Sequence, residues 1–180
     1  MEASELDQIR EIVIEASRHV FPRCGIALGE QIERTDDGSD VRQLVAFMGF
    51  AGPVLRGTLA LVAPIDLMRA SYPLPLKDGA RWEFEVFDWS GEVANRLLAN
   101  IKNGLALRGV DIEASTPRVM LAEQLHVTRS VRGTVCSSCF ATEDSWIRIW
   151  FDAMAPDDQK ILLEPRGPDP TPPEGDVLLF

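Results

Sequence analysis

Hydrophobic residues recur along this chain with two different periods, which predict helices and strands in a repeated order. Over residues 4–19 apolar side chains return every three or four positions, as in an amphipathic helix. A longer helix is predicted from Arg81 or Asp88 to Leu107, with Gly109 after it as a natural C-cap residue. Segments typical of strands, separated by turn residues, follow each helix. They are GIALGEQIER, RQLVAFMGFAG and LRGTLALVAP in the first half, and VDIEAS, a segment after Pro117, VRGTVCSSCFAT and SWIRIWFDAM in the second.

The order of a helix followed by strands, met twice, predicts an α+β protein in which a largely antiparallel sheet packs against long helices in two layers. A short similarity between the two halves, here called the echo, supports an internal pseudo-repeat. The segments FAGPVLRGTLALVAP and FATEDSWIRIWFDAMAP each begin with Phe-Ala, continue through a turn and a strand of alternating pattern, and end with Ala-Pro. We therefore expect one domain over residues 1–163, with the helices at 4–19 and 88–108 related by approximate two-fold pseudo-symmetry. Residues 164–180 are rich in proline, and we expect this tail to be extended or disordered.

The polar face of the long helix contains all the asparagines of the chain. At 100° per residue, one arc of this helix is apolar and consists of Val93, Ala94, Leu97, Leu98 and Ile101. The opposite arc consists of Glu92, Asn95, Arg96, Ala99, Lys102 and Asn103, with Asn100 at its edge. A small residue, Ala99, next to a carboxylate and an amide leaves a shallow surface against which another protein could press. The alternative is a solvated helix face on which Glu92 pairs with Arg96 at i+4.

Composition narrows the classes of partner. The 18 basic and 28 acidic residues give a net charge of −10 and a pI near 4.7, the wrong sign for binding nucleic acid or an anionic membrane. The N-terminus lacks the architecture of a signal peptide, and the longest apolar runs fall far short of a membrane-spanning helix. We expect a cytoplasmic protein without nucleic-acid or membrane partners.

The cysteines predict no metal or redox site. Their odd number argues against a disulfide framework, although Cys136 and Cys139 form a C-x-x-C spacing. Residues three apart on a strand point to opposite faces, which opposes a shared metal or a disulfide there. We expect the two thiols to be structural, and we expect the chain itself to bind no metal and no cofactor.

The stretch DWSGEVAN, residues 88–95, followed by Pro117, resembles a family signature. In the CheC, FliY and CheX phosphatases of bacterial chemotaxis, an acidic residue or serine precedes Glu-x-x-Asn by four positions and a proline follows about twenty residues later. The stretch LVAFMGFAGPVLRGTLALVAP also resembles the first-half sheet of this family, so the likeness covers most of residues 1–155. CheC-type members have a second Glu-x-x-Asn in the first helix, whereas residues 4–19 contain no asparagine. The chain is therefore most similar to CheX, with a single site.

The resemblance implies a protein phosphatase that hydrolyses the aspartyl phosphate of a receiver domain such as CheY. That partner would supply Mg²⁺ and a lysine from its own site. Asn95 would hold the attacking water, since an amide both donates and accepts hydrogen bonds, and Glu92 would pair with the partner's lysine. Asp88, Ala99 and Pro117 would support them, and Asp88 has the alternative role of capping the helix.

Two further expectations accompany this assignment. The same fold could serve as a non-catalytic adaptor or dimerisation module that binds a receiver domain without hydrolysing its phosphate. The apolar segment SWIRIWFDAM would be an aggregation hazard at an exposed sheet edge, and the similarity to CheX suggests that such an edge is covered in a homodimer.

Overall fold

In the computed structural model, residues 3–33, 41–76, 82–123 and 134–155 are described, and they form three helices packed against a seven-stranded sheet. The helices are α1 (Ala3–Arg23), α2 (Ile65–Ala70) and α3 (Trp82–Ala106). The strands are β1 (Gln31–Ile32), β2 (Gln43–Ala51), β3 (Arg56–Pro64), β4 (Glu113–Ala114), β5 (Arg118–Ala122), β6 (Thr134–Ala141) and β7 (Trp146–Met154). None of the helices in the described ranges has the length and apolar character needed to cross a membrane.

The sheet has the internal symmetry that the repeated element order predicts. Its strand order is β1-β6-β7-β3-β2, with β4 and β5 both pairing with the free edge of β2, and every pairing is antiparallel. Strands β2 and β3 of the first half occupy positions equivalent to those of β6 and β7 of the second half, counted from opposite edges of the sheet. The pseudo-two-fold axis therefore passes between β3 and β7. The two echoing segments contain the turns and the second strands of the equivalent hairpins β2–β3 and β6–β7. The expected α+β fold with a largely antiparallel sheet is confirmed.

The two long helices end in the same way. Gly25 and Gly109 have φ of 75° and 77°, a left-handed conformation that glycine adopts without steric cost. The next residues, Ile26 and Val110, each donate a backbone N–H to the carbonyl five residues earlier, at 2.9 and 3.0 Å. This is a Schellman ending, with a buried side chain after each glycine. Gly109 is thus the C-cap that the sequence predicts, while α1 runs past its predicted end to Arg23.

Helix α3 forms the centre of the core. Its predicted apolar arc is buried, and the side chains with no exposed surface are Val86, Val93, Ala94, Leu97, Leu98, Ile101 and Leu105. Fully burying one such side chain of valine or leucine size contributes about 1.5–3 kcal/mol, so this face holds α3 firmly against the sheet and α1. The polar arc of the same helix is left facing solvent.

A hydrogen-bonded tryptophan fixes how α3 sits against α2. The indole N–H of Trp89 donates to Oγ of Ser71 at 3.0 Å, and that hydroxyl donates to the carbonyl of Met68 at 3.0 Å. The ring of Tyr72 meets Trp89 edge-on with centroids 6.3 Å apart. Because Trp89 is buried and its polar atom has one defined partner, rotation of α3 about its axis is restricted.

The C-x-x-C cysteines lie on opposite faces of β6, as the strand period predicts. Cys136 packs into the core beneath the helices, and Cys139 belongs to a smaller cluster with Val45 and Val62 on the other face. All three cysteines of the chain are buried. Burial raises the pKa of the Cys136 thiol, and it also raises the pKa of Cys24. In the described ranges, no group of three or more His, Cys, Asp and Glu residues is placed to hold a metal.

The expected exposed edge at SWIRIWFDAM is wrong. Strand β7 lies inside the sheet, paired with β3 on one side and β6 on the other, because the two hairpins meet at the centre. This strand therefore offers no edge to a second copy, and the homodimer stays a prediction that rests on family similarity. The predicted domain limit at residue 163 and the tail 164–180 lie outside the described residues.

Candidate active site

The four site residues that the sequence predicts on α3 form one stripe along the helix. Asp88, Glu92, Asn95 and Ala99 are all exposed, and their spacing of three or four residues places them on one side of the helix. The buried arc fixes which side faces solvent. The stripe therefore runs straight along the outer surface of α3.

A break in the edge strand brings Pro117 to this helix. Residues 115–117, between β4 and β5, lie opposite only residues 48 and 49 of β2, so the edge strand contains one extra residue. Ser115 closes the gap, because its N–H donates to the carbonyl of Gly49 at 2.8 Å and its Oγ accepts the N–H of Gly49 at 2.9 Å. A bulge tolerates proline, which has no N–H for the ladder, and it redirects the chain. Here it places Pro117 beside α3.

A glycine on α3 receives this proline. Gly91 is buried, and a Cβ built there would lie 3.5 Å from Cγ of Pro117 and 3.5 Å from Cγ2 of Val119. The backbone of α3 thus comes close to the bulged edge strand. Since Gly91 directly precedes Glu92, the proline lies next to the predicted site residues although it is far from them in sequence.

An open groove of about 400 Å³ results between α3 and the edge strand. It is lined by Phe84, Phe87, Asp88, Gly91, Glu92, Asn95, Pro117 and Val119. Four of the five residues predicted for the site line this groove together. The fifth, Ala99, lies on the same stripe one turn beyond Asn95 and does not line it.

Helix capping by Asp88 is wrong. Helix α3 begins at Trp82, so Asp88 lies in its second turn, where the backbone N–H groups already have partners within the helix. Asp88 is exposed and lines the groove together with Glu92. Its position favours a supporting role at the groove over a structural role at the helix end.

The pairing of Glu92 with Arg96 is present in the structure. Nε of Arg96 donates to Oε1 of Glu92 at 2.7 Å, and the guanidinium also lies 5.6 Å from the ring centroid of Trp89. The side chains of Arg96 and Glu92 are 47% and 45% exposed. An exposed i,i+4 pair of this kind contributes only about 0.3–0.5 kcal/mol. It orients Glu92 without preventing the carboxylate from changing partner.

Asn95 is the uncommitted amide of the site. In the described part of the chain its carboxamide makes no hydrogen bond, whereas the nearby Asn100 donates to the carbonyl of Arg96 at 3.0 Å. A free carboxamide offers two N–H donors and an acceptor oxygen toward the groove. Such a group can orient a water molecule, and it keeps this capacity at any working pH because it does not ionise.

The sequence model described as the chemotaxis phosphatase CheX matches residues 44–140, more than half of the chain. The chain belongs to the CheX family. This match spans both the predicted Glu-x-x-Asn and the proline of the bulge, so the resemblance seen in the sequence is confirmed. No curated protein matches the chain.

Solved structures support the CheX fold at low sequence identity. A CheX from Desulfovibrio desulfuricans has a TM-score of 0.62 at 18% identity, covering 79% of this chain and 97% of that one. A complex of CheX with CheY, BeF₃ and Mg²⁺ from Borrelia burgdorferi has a TM-score of 0.59 at 13% identity, covering 82% and 96%. FliY from Thermotoga maritima has a TM-score of 0.54 at 17% identity, covering 87% and 92%. At these identities the likeness establishes the fold.

Four residues that line the groove of this CheX-family chain were not predicted from the sequence. They are Phe84, Phe87, Gly91 and Val119. One signal was available for the first of them, since Phe84 precedes Asp88 by four positions and so continues the exposed stripe. Val119 could not be found in this way, because only the fold of the edge strand brings it to the helix.

Proposed function

We propose that this chain hydrolyses the aspartyl phosphate of a CheY-like receiver domain, with Asn95 and Glu92 as the residues that act on it. The observation that carries the proposal is the shared groove, in which a free carboxamide and a carboxylate stand one turn apart on a rigid helix. Membership of a family described as a chemotaxis phosphatase supports it. So does the related CheX that was solved in complex with CheY.

In the proposed reaction Asn95 orders the water. Its oxygen accepts a hydrogen bond from the water while its N–H₂ group remains able to donate to a phosphoryl oxygen, which holds the nucleophile in line with phosphorus. The water oxygen forms a bond to phosphorus as the bond from phosphorus to the aspartyl oxygen breaks. The electron pair of that bond stays on the aspartate as a carboxylate, and the water proton leaves with inorganic phosphate. Asn95 is unchanged, so its contribution is positioning.

Glu92 sets the docking register in this proposal. Its carboxylate would leave Arg96 and pair with the lysine expected beside the receiver's phosphoaspartate, an exchange that costs little because the existing pair is exposed. Mg²⁺ bound in the receiver domain would neutralise charge on the phosphoryl group. This chain would supply the carboxylate, the carboxamide and the shape of the groove.

Replacing Asn95 tests catalysis. Asn95→Ala should reduce dephosphorylation on the order of 10²-fold or more, which corresponds to about 3 kcal/mol of barrier lowered by positioning. Affinity for the phosphorylated receiver should change far less. Asn103→Ala is the matched control, because it removes the same exposed group from the same helix about 12 Å further along. If Asn95→Ala is folded and still hydrolyses at the wild-type rate, the catalytic role of Asn95 is refuted. A wild-type chain that binds the phosphorylated receiver without accelerating its dephosphorylation would be a receiver-binding adaptor.

Replacing Glu92 tests whether this residue binds the receiver domain or only forms a solvent-exposed ion pair with Arg96. If Glu92 served only to pair with Arg96, then Glu92→Ala and Arg96→Ala would have equal and small effects. Under the proposal, Glu92→Ala weakens both binding and rate, Glu92→Lys is worse, and Arg96→Ala leaves both nearly intact. All three side chains are exposed, so melting temperatures should stay close to that of the wild type.

A further inference from the structure

We infer that the docking surface for the receiver domain extends beyond the Glu92–Asn95 pair to Phe84, which acts as an apolar anchor. This inference rests on the proposed function for the identity of the partner. Phe84 lines the same groove as the two polar residues, yet its side chain is 70% exposed. No other aromatic side chain in the described ranges is as open to solvent.

Helical geometry places Phe84 in line with the catalytic pair. At 100° per residue, Phe84 and Asn95 lie within about 20° of each other around the axis of α3, and about 16 Å apart along it. Asp88 and Glu92 lie between them on the same stripe. A flat surface that meets Asn95 along this helix therefore also meets Phe84.

The groove is polar at one end and apolar at the other. Phe84 lines this groove together with the partly buried Phe87 and Val119, so its ring belongs to a partly apolar lining and does not stand alone in a charged surface. Single exposed hydrophobic residues are common and carry no meaning by themselves. A ring in a partly apolar groove lining, on the same helix stripe as two carboxylates and a free amide, fits an interface with a hydrophobic centre and polar neighbours.

The chemistry of the stripe specifies its occupant. Asp88 makes no ion pair within the described residues, and Glu92 has only an exposed one, so this segment favours a partner with cationic groups. Phe84 requires an apolar patch on the same partner, roughly 16 Å from its phosphoryl group. A receiver domain with a lysine at its phosphorylation site and an apolar surface at that distance meets both requirements.

The test compares Phe84→Ala with Leu107→Ala. Leu107 is 72% exposed, but it lies beyond the end of α3, about 35 Å from Phe84 along the helix axis. Binding is measured by calorimetry with a CheY-type receiver domain loaded with BeF₃ and Mg²⁺, and turnover is measured with the phosphorylated form. Phe84→Ala should raise Kd and KM by about tenfold with kcat within about twofold, as expected for an anchor outside the reacting centre. Leu107→Ala should change none of them, and Phe84→Leu should restore most of the affinity.

The outcomes separate this inference from the proposed function. Wild-type affinity in Phe84→Ala overturns the anchor, and the phosphatase assignment survives if Asn95→Ala loses turnover. Loss of binding in Phe84→Ala with full turnover in Asn95→Ala supports the docking surface and refutes the catalytic role of the amide. A kcat loss in Phe84→Ala without a change in Kd or KM overturns the anchor. If the wild-type chain neither binds nor dephosphorylates CheY-type receivers, both ideas fail.

Discussion

Two glycines on α3 are predicted to respond differently to the same substitution: alanine should stabilise the protein at Gly91 but not at Gly104. Gly91 faces the bulged edge strand, where an added Cβ would lie 3.5 Å from Pro117 and from Val119, an ordinary van der Waals distance. Gly104 faces α1, where an added Cβ would lie 2.7 Å from Cγ2 of Ile12. Both positions are inside the same helix, so the change in helix propensity is the same and the difference measures packing.

The expected magnitudes come from these distances. Replacing glycine by alanine inside a helix gains about 1 kcal/mol from backbone entropy, and Gly91→Ala should show this gain in full. At Gly104 the new methyl overlaps a β-branched side chain whose χ1 is nearly fixed in a helix, and overpacking of this kind costs about 1–3 kcal/mol. Gly104→Ala should therefore be neutral to about 2 kcal/mol less stable than the wild type. The two variants should differ by about 2 kcal/mol, or about 4–8 °C in Tm for a chain of this size.

Urea unfolding of both variants, with m-values compared, measures the difference in the free energy of unfolding. Removing the obstructing methyl supplies the control: in an Ile12→Ala background, Gly104→Ala should become stabilising, because the group with which it clashes is absent. If Gly104→Ala is as stable as Gly91→Ala in the wild-type background, α1 and α3 do not approach as closely as the structure places them. If the sign does not reverse with Ile12→Ala, the cost at Gly104 has another source.

Two predictions concern titratable groups. Burial raises the pKa of the Asp152 carboxyl from its ordinary value, and its buried Oδ1 lacks a hydrogen-bond partner in the described part of the chain. The folded state therefore binds the proton more tightly than the unfolded state. The stability that this group contributes is therefore present at low pH and is lost as the pH rises through the folded-state pKa. Asp152→Asn should then stabilise the protein at neutral pH. Urea unfolding at several pH values should show this gain shrinking as the pH falls. An equal gain at every pH would contradict this. The buried thiols Cys24, Cys136 and Cys139 should react with a thiol reagent only when the protein is unfolded. Reducing the protein beforehand should not raise the number of thiols that react. A rapidly reacting thiol in the native protein would refute their structural role.

Local patterns in the sequence determined the elements and their chemical character. The 3.6-residue period of α3 predicted which of its residues are buried, and the glycine after it predicted its end, because both depend on neighbours within a few positions. The echo of the two hairpins predicted the repeated halves. Glu92 and Asn95 were found from their spacing on one helix face. Each of these inferences needs only the geometry of a single helix or hairpin.

Only the tertiary structure decided what meets across the sequence. Pro117 reaches Gly91 because a bulge redirects the edge strand, and a bulge depends on the register with β2, which no local pattern encodes. The same long-range pairing put β7 inside the sheet although its composition suggested an exposed edge. Asp88 lies inside α3 because Trp82 begins the helix earlier, and this start adds Phe84 to the groove. Spacing along one helix fixes which side chains share a face, but the fold of the whole chain decides what that face is placed against.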